Sequence, residues 1–250
     1  YNVSDSFKFY LFVVAFFSLV PKFFLINYYS KNKFISILTY LLLIYPSHEL
    51  NQIRIGLALG LLFFSIHLYK FKKFIKSLVL LILASSIHIF SIPLFMGTLS
   101  IDSIDNFFKK GKISKKNIFI LIIFLLTIIF ALIFGIFKFN IFYYLNSNEM
   151  GSLFSLRTFI LFTITMIGIR YREYFPEHIR TWHNLSILGL ISYYGLIFSI
   201  DLSHRIIQTS YFSYIIWIEY LPVNARLLSR YLLLFVGLTT SFLVLNRQFM

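Results

Sequence analysis

The sequence contains no cysteine, and this absence excludes several kinds of chemistry. Without thiols the chain has no disulfide framework, no thiolate nucleophile and no cysteine ligand for a metal. Acidic residues are also scarce, with nine Asp and Glu against 23 Lys and Arg. The His, Asp and Glu residues do not stand at metal-ligand spacing. We therefore expect neither a metal nor another cofactor.

Motifs of many other enzymes are missing as well. There is no glycine-rich phosphate-binding loop and no G-x-S-x-G nucleophile motif. Asp102 and Asp105 stand in the tetrapeptide DSID beside a lysine-rich segment, so we do not interpret them as a metal-binding D-x-D pair. A membrane acyltransferase would need a His–Asp pair such as H-x-x-x-x-D, and none is evident. Cations and imidazoles remain, a set that matches an anionic diphosphate bound without a divalent metal.

What the sequence has in excess is apolar surface. Hydrophobic residues make up 59% of its 250 residues, and Phe alone accounts for 32, whereas about 45–50% is usual for a soluble domain. This composition predicts an all-α, polytopic transmembrane helical bundle with about seven to eight membrane segments plus re-entrant or half-helix segments. We expect one integral membrane domain over residues 1–250. The chain begins at Tyr1 without a signal-peptide pattern. Either its start is processed or it is the C-terminal part of a longer protein, which we favour.

The predicted membrane segments follow from apolar runs near the required length of about 20 residues. One run, Phe74–Leu99, is long and carries polar residues in its middle. The run at 206–221 is ambiguous, because polar residues interrupt it. The other predicted segments are 9–29, 34–46, 53–69, 117–137, 155–171, 183–200 and 228–245.

Basic residues between the apolar runs predict the orientation. The net charge of +14 sits in short loops, which indicates cytoplasmic loops of a membrane protein rather than nucleic-acid binding. Only Phe74–Leu99 separates the second and third clusters, so we expect this segment to enter the membrane and return, breaking near His88 to Pro93. A single long, tilted helix is the alternative. The four clusters are Lys31 and Lys33; Lys70, Lys72, Lys73 and Lys76; Lys109, Lys110, Lys112, Lys115 and Lys116; and Arg170, Arg172 and Arg180.

The basic residues on the predicted outer side are mostly arginines. Lysine suffices to orient a segment by charge, whereas the planar guanidinium grips phosphate at two points. This difference indicates an outer anion-binding site, although chance in a small sample explains it equally well. The outer arginines are Arg54, Arg157, Arg205, Arg226 and Arg230.

Three groups of polar residues are candidate functional sites. Arg54 lies about one turn inside the membrane, where a charge suggests function, although a snorkelling arginine would look the same. His88 shares one predicted helix face with Ser85 and Ser91, and it is either a base or a partner of a neighbouring helix. The first group is His48, Glu49, Asn51, Gln52 and Arg54; the second is Ser85, His88 and Ser91; the third is Asp201, His204, Arg205 and Gln208, followed by aromatic residues that suit a membrane interface or sugar stacking.

Residues 46–95 resemble the EpsG/Wzy-type membrane proteins of exopolysaccharide, capsule and O-antigen assembly. The resemblance rests on an Asn/Gln-x-Arg-x-Gly-Leu-Ala start, a lysine-rich turn and an Ala-Ser-x-x-His-x-Ser run; Arg205 in SHRII matches a later arginine segment less securely. Such proteins usually have further N-terminal helices and an acidic, tyrosine-containing outer segment, and catalytic carboxylates would be missing with them. The matching positions are Asn51, Gln52, Arg54, Gly56, Leu57, Ala58, Ala84, Ser85, His88 and Ser91.

The resemblance implies polymerisation of polyprenyl-diphosphate-linked oligosaccharides at the outer face of a bacterial plasma membrane. In this interpretation the diphosphate and sugar are bound by Arg54, Arg205, Gln52, His204 and Gln208. His88 or His48 takes or relays the acceptor proton, and Glu49 orients a histidine or a sugar hydroxyl. Chain-length regulator proteins are expected partners, besides the lipid bilayer and the lipid-linked oligosaccharide.

Two other functions remain open. A lipid-linked sugar flippase would use similar cations, but it needs a cavity that opens alternately to both sides. The candidate residues gather at one pole in the predicted topology, which favours catalysis. A non-catalytic scaffold of a secretion complex would tolerate single arginine or histidine substitutions.

Overall fold

The structure is a computed structural model that describes residues 5–46, 53–88, 91–110, 155–195 and 200–249. Side chains are described within these ranges except at 5–7, 105–110, 200–206 and 245–249. The helices of these ranges are α1 (Asp5–Tyr29), α2 (Lys33–Leu43), α3 (Ile53–Lys70), α4 (Phe74–Ile87), α5 (Ser91–Lys110), α6 (Leu156–Arg170), α7 (Glu177–Gly195), α8 (Ile200–Trp217) and α9 (Val223–Phe249), with 3₁₀ turns at Arg172–Tyr174 and Ile218–Tyr220.

The predicted all-α class is confirmed, because the described residues form helices and no strand. Three segments are long and apolar enough to cross a bilayer: Lys8–Tyr29, Ile53–Lys70 and Val223–Val244. Large apolar side chains on α1, α4 and α9 remain exposed on the protein surface, as expected where lipid rather than protein covers them. The chain is an integral membrane protein. The predicted count of about seven to eight membrane segments goes beyond these three, and the predicted segment 117–137 lies outside the described residues.

The chain divides into two compact units. Unit 1 comprises Tyr1–Ser91 and Gly237–Met250, and unit 2 comprises Ile92–Val236. Most of α5 therefore belongs to unit 2, and α9 contributes to both. The single membrane domain expected from the sequence stays a prediction.

In unit 1, α1 and α3 run parallel to one another. The ring of Phe24 lies 5.4 Å from that of Phe64, and further along both helices Tyr28 lies 5.7 Å from Phe71. The backbones approach closely, because a Cβ atom at Gly60 would lie 2.7 Å from the carbonyl oxygen of Ser18. Small residues allow such approach between membrane helices. The parallel direction agrees with the two crossings predicted between the first two basic clusters.

Helices α3 and α4 form an antiparallel hairpin held by two serines. The hydroxyl of Ser65 donates to the carbonyl oxygen of Ser77 at 2.7 Å, and the hydroxyl of Ser77 donates to the carbonyl oxygen of Ser65 at 2.9 Å. The turn between the helices places Lys72 at a φ of 59°, in the left-handed region. The second lysine cluster therefore occupies the closed end of this hairpin.

Unit 2 is built around α6, α7 and α8. Small side chains bring α7 and α8 together: the Ser186 and Ser213 hydroxyls are 2.5 Å apart, and a Cβ atom at Gly189 would collide with Ser210. These contacts make α7 and α8 antiparallel. The Thr165 and Tyr214 hydroxyls, 2.8 Å apart, join α6 to α8. The ambiguous run at 206–221 is thus helical over most of its length, because its serines and threonines are buried against neighbours rather than exposed to lipid.

Several helices of the described residues begin earlier than the apolar runs predict, α7 and α9 among them. Helix α7 starts at Glu177 rather than at 183, and α9 starts at Val223 rather than at 228. The first turn of α7 is polar, and its backbone is anchored where the carbonyl oxygen of Pro176 accepts from the amides of Ile179 and Arg180. Hydropathy alone does not register such a polar first turn as part of a membrane helix.

Candidate functional site

The chain breaks at His88, as the topology predicted. Helix α4 ends at Ile87, and His88 is extended with φ −146° and ψ 106° while its amide donates to the carbonyl oxygen of Ala84 at 2.8 Å. Helix α5 begins three residues later at Ser91. The alternative of one long helix is therefore wrong. The return of this segment through the membrane stays a prediction.

The same break contradicts the predicted polar face of Ser85, His88 and Ser91. Only Ser85 belongs to α4, and its hydroxyl turns back to the carbonyl oxygen of Ile82 at 2.9 Å. The Ser91 hydroxyl reaches the carbonyl oxygen of Ala84 at 3.4 Å. Three-residue spacing aligns side chains only while the helix continues, and here it stops before His88. His88 is half-buried.

Arg54 and His88 lie at the same end of the α3–α4 hairpin. Ser65 and Ser77 stand opposite each other. Arg54 lies eleven positions before Ser65 on α3, and His88 lies eleven positions after Ser77, immediately past the last residue of α4. That is roughly 16 Å along the hairpin at about 1.5 Å per helical residue. The lysine turn occupies the other end. Arg54 is exposed in the first turn of α3, where unpaired amides and the helix dipole favour an anion.

A buried cation that the sequence analysis did not select lies close to this end. Lys22 is 1% exposed, and its Nζ donates to the hydroxyl of Ser18 at 3.0 Å and to the carbonyl oxygen of Gly56 at 2.8 Å. Gly56 follows Arg54 by two residues. The signal was present in the sequence, because a charge inside an apolar run is itself a functional indication.

The remaining predicted site residues are described only in part. His48, Glu49 and Gln52 lie outside the described residues. His204 and Arg205 belong to α8, although their side chains also lie outside the described residues, and Gln208 is half-buried one turn further along. The helical backbone does place these three positions within about one turn of each other.

Arg157 and Arg205 lie at one end of unit 2. Helices α6 and α8 are parallel, because Thr165 contacts Tyr214 and Gly168 contacts Trp217 further along both helices. Arg157 lies eight positions before Thr165 and Arg205 nine positions before Tyr214, so both lie at the same level. The guanidinium of Arg157 interacts electrostatically with the Tyr211 hydroxyl, which is fully buried. This end of unit 2 therefore carries the Arg157 guanidinium beside the Tyr211 phenol, with position 205 at the same level of α8.

The opposite end of unit 2 holds a network of charged and amide groups. Asn184 Nδ2 donates to Asp102 Oδ1 at 2.5 Å, and Asn184 Oδ1 accepts from Arg172 at 2.5 Å. Arg172 also donates to Nδ1 of His183 at 2.8 Å, and the Thr181 hydroxyl donates to Asp102 at 3.0 Å. The members satisfy one another. Sequence reasoning missed the network, because it interpreted Asp102 and Arg172 as loop charges.

A buried ion pair lies at that same end. Arg230 makes a two-point contact with Glu219 through both carboxylate oxygens, and Arg226 donates to the Glu219 carbonyl oxygen at 3.3 Å. The nearby Trp217 ring packs on His183, 4.8 Å away. The prediction that Arg226 and Arg230 lie with Arg157 and Arg205 is therefore wrong, because α8 carries the chain from one end of unit 2 to the other.

The sequence analysis placed the polar candidate residues at one end of the protein, and the contacts in unit 2 show a different distribution. Polar groups lie at both ends of unit 2 rather than at one pole. Those around Asp102 and Glu219 are paired within the protein, whereas Arg54 in unit 1 is exposed and hydrogen-bonds no other side chain among the described residues. No group of three His, Asp or Glu side chains able to hold a metal occurs in the described ranges.

Comparison with known proteins supports the resemblance inferred from residues 46–95. A family model described as the EpsG family matches residues 1–250. No curated protein and no solved structure matches the chain.

Proposed function

The chain belongs to the EpsG family, and from that premise we propose that it polymerises polyprenyl-diphosphate-linked oligosaccharide repeat units. The reaction takes place at the outer face of the bacterial plasma membrane, in which the protein is a multi-pass component. Its product is an exopolysaccharide of the capsule or O-antigen type, and chain-length regulator proteins are its expected partners.

One observation carries the proposal. The α3–α4 hairpin brings Arg54 and His88 to one end and the lysine turn to the other. Lysines mark the cytoplasmic side, so this arrangement supports an outer location for both candidates. The exposed guanidinium of Arg54 at the amino end of α3 is suited to a phosphate group, because charge and unpaired amides act together there.

The chemistry requires one proton acceptor and one anion binder. A hydroxyl of the acceptor sugar attacks the anomeric carbon of the donor chain, and the bond from that carbon to the diphosphate oxygen breaks. The leaving polyprenyl diphosphate carries the bonding electron pair, and Arg54 and Arg205 stabilise its charge. His88 or His48 takes or relays the hydroxyl proton, and Glu49 orients one of these histidines or a sugar hydroxyl. Gln52, His204 and Gln208 bind the sugar or the diphosphate.

Replacement of Arg54 tests the proposal. We expect Arg54→Ala to lower chain growth by about 10²–10³-fold, as the loss of one charge-stabilising donor does in other enzymes. Arg54→Lys should recover only part of the activity, because an ammonium cannot make the two-point contact. The measurement is polymer length from lipid-linked repeat units in proteoliposomes.

Arg170→Ala is the matched control. Arg170 is also an exposed arginine at a helix end, but it belongs to the predicted cytoplasmic cluster, and its replacement should leave chain growth unchanged. Long polymer from a normally inserted Arg54→Ala variant would refute the assignment of Arg54.

A flippase for the same lipid-linked sugars is the second candidate. The polar groups at both ends of unit 2 favour it, since a translocation path needs polar residues on both sides. The pairing of the groups around Asp102 and Glu219 weighs against it, because paired groups do not bind a passing diphosphate. Reconstitution with short lipid-linked units separates the two functions: chain growth identifies the polymerase, and translocation without growth identifies the flippase.

A further inference from the structure

Lys22 is a charged side chain buried inside the apolar helix α1. It is 1% exposed and lies within the candidate membrane segment Lys8–Tyr29. Ionisable residues in such segments are costly and face the protein interior, where they serve a specific partner. The partners of Lys22 should therefore reveal its role.

The ammonium of Lys22 bridges two helices. Its Nζ donates to the Ser18 hydroxyl in its own helix at 3.0 Å and to the carbonyl oxygen of Gly56 in α3 at 2.8 Å. Gly56 lies in the first turn of α3, which also contains Arg54. A hydrogen bond from a charged donor is stronger than one between neutral groups, so this contact holds the first turn of α3 against α1.

The bridge lies beside the closest approach of the two helices. A Cβ atom at Gly60 would be 2.7 Å from the Ser18 carbonyl oxygen, so the backbones of α1 and α3 have no room for a larger residue there. One turn earlier on α3, the Lys22 ammonium contacts Gly56. Close packing and the charged hydrogen bond thus set the position of α3 along α1 together.

We infer that Lys22 is a positioning residue for Arg54. It acts through the backbone of Gly56, by holding the first turn of α3 in the place from which Arg54 binds the diphosphate. The part of the inference that concerns activity rests on the proposed function. The part that concerns the local structure of α3 does not.

The same pair of helices offers a matched control. The Tyr29 hydroxyl and Nδ1 of His67 are 2.8 Å apart, at the other end of the α1–α3 contact. Tyr29→Phe removes one polar contact between these helices without touching the first turn of α3. Replacement of Lys22 and Tyr29→Phe should therefore loosen opposite ends of the α1–α3 interface.

Single cysteines report on each end, because the chain has none of its own. Ala58 and Ile66 are both buried in α3, and Ala58→Cys and Ile66→Cys can be labelled with N-ethylmaleimide in membranes. We expect Lys22→Met to raise labelling of Cys at position 58 by roughly threefold through local opening and to leave position 66 unchanged. Tyr29→Phe should produce the reverse. Unchanged labelling at position 58 in an inserted Lys22→Met variant would overturn the inference.

A second variant tests the inference if Lys22→Met does not insert into the membrane. Lys22→Gln keeps a hydrogen-bond donor but is too short to reach Gly56 in the same way, and it should give the same labelling pattern. If neither variant inserts, Lys22 supports folding in general and the positioning role is wrong.

Activity separates this inference from the proposed function. In chain growth from lipid-linked units, Lys22→Met should lower kcat by about tenfold, as misplacement of a binding group does, with a smaller change in KM. Lys22→Arg should restore part of the loss, and Tyr29→Phe should cost little. A parent protein that makes no polymer from lipid-linked units, together with changed labelling in Lys22→Met, would sink the polymerase proposal alone. An inactive Arg54→Ala protein with unchanged labelling in Lys22→Met would sink the positioning role alone.

Discussion

The two units of the protein use polar side chains in different ways. In unit 1 the helices meet through separate contacts between uncharged groups or a single cation and a carbonyl oxygen, as at Ser65–Ser77 and Lys22–Gly56. In unit 2 charged groups pair with one another or through an amide, as at Glu219–Arg230 and Asp102–Asn184. Arg54 of unit 1 remains exposed.

The difference teaches that the presence of an arginine in a membrane protein is a weak sign of function. Arg172 and Arg230 are occupied by protein partners, so they stabilise unit 2 and have little capacity left for a ligand. Arg54, by contrast, is exposed in the first turn of α3, which suits the binding of an anion. Substitutions of the paired groups around Asp102 and Glu219 in unit 2 should therefore cost mainly stability, whereas those around Arg54 should cost mainly activity.

The largest effect on stability is expected at the buried ion pair. Glu219→Leu leaves the Arg230 guanidinium without its carboxylate, and breaking a buried pair on one side costs about 3–5 kcal/mol. Thermal unfolding of the purified protein in detergent measures the loss. The double variant Glu219→Leu/Arg230→Met should recover most of it, because an apolar pair replaces an ion pair at little cost. A single variant as stable as the parent would show that the pair contributes nothing.

The second largest loss of stability is expected at Asn184, whose amide connects Asp102 to Arg172. Asn184→Leu removes both contacts that join Asp102 to Arg172, and a loss of about 2–4 kcal/mol is expected from hydrogen bonds to charged groups. Thr181→Val removes a single donor to Asp102 and should cost less, about 1.5 kcal/mol, because only one hydrogen bond to a charged group is lost. Equal melting temperatures for the two variants would mean that Asn184 does not link the network.

In unit 1 the close approach of α1 and α3 should be sensitive to volume. Gly60→Ala forces a methyl group against the Ser18 backbone, and overpacking of this kind costs about 1–3 kcal/mol. Gly195→Ala adds the same group where nothing lies within 4 Å and serves as the control. Unchanged unfolding of Gly60→Ala would indicate that α1 and α3 separate easily.

The smallest effect is expected at the serine pair of the α3–α4 hairpin. Ser77→Ala removes one hydroxyl of the reciprocal contact, and hydrogen bonds between membrane helices contribute about 0.6 kcal/mol each. Ser85→Ala removes a hydroxyl that bonds only to its own helix and should change stability less. A loss several times larger for Ser77→Ala would mean that the polar contacts of unit 1 contribute as much stability as those of unit 2, contrary to the comparison.

Much of the fold follows from local sequence. The apolar runs located the starts of most helices of the described residues within six positions, although α5 extends to Lys110, well past the predicted end at Leu99. The lysine clusters predicted that Phe74–Leu99 breaks near His88. The predicted polar face of Ser85, His88 and Ser91 is wrong, because the break falls inside it. The candidate site is predictable to the extent that Arg54 and His88 follow their motif. That both residues lie at the same end of the α3–α4 hairpin could be inferred only from the contact between Ser65 and Ser77.

The sequence by itself determined that this chain is an all-helical membrane protein of the EpsG family, because hydropathy, basic clusters and short motifs are properties of neighbouring residues. Only the tertiary structure decided which polar groups are hydrogen-bonded to partners within the protein and which are exposed. Asp102 and Asn184 are 82 positions apart, and Lys22 and Gly56 are 34 apart. Pairing over such distances depends on which helix faces pack together, and in lipid that packing is decided by shape and hydrogen bonding rather than by the apolar pattern.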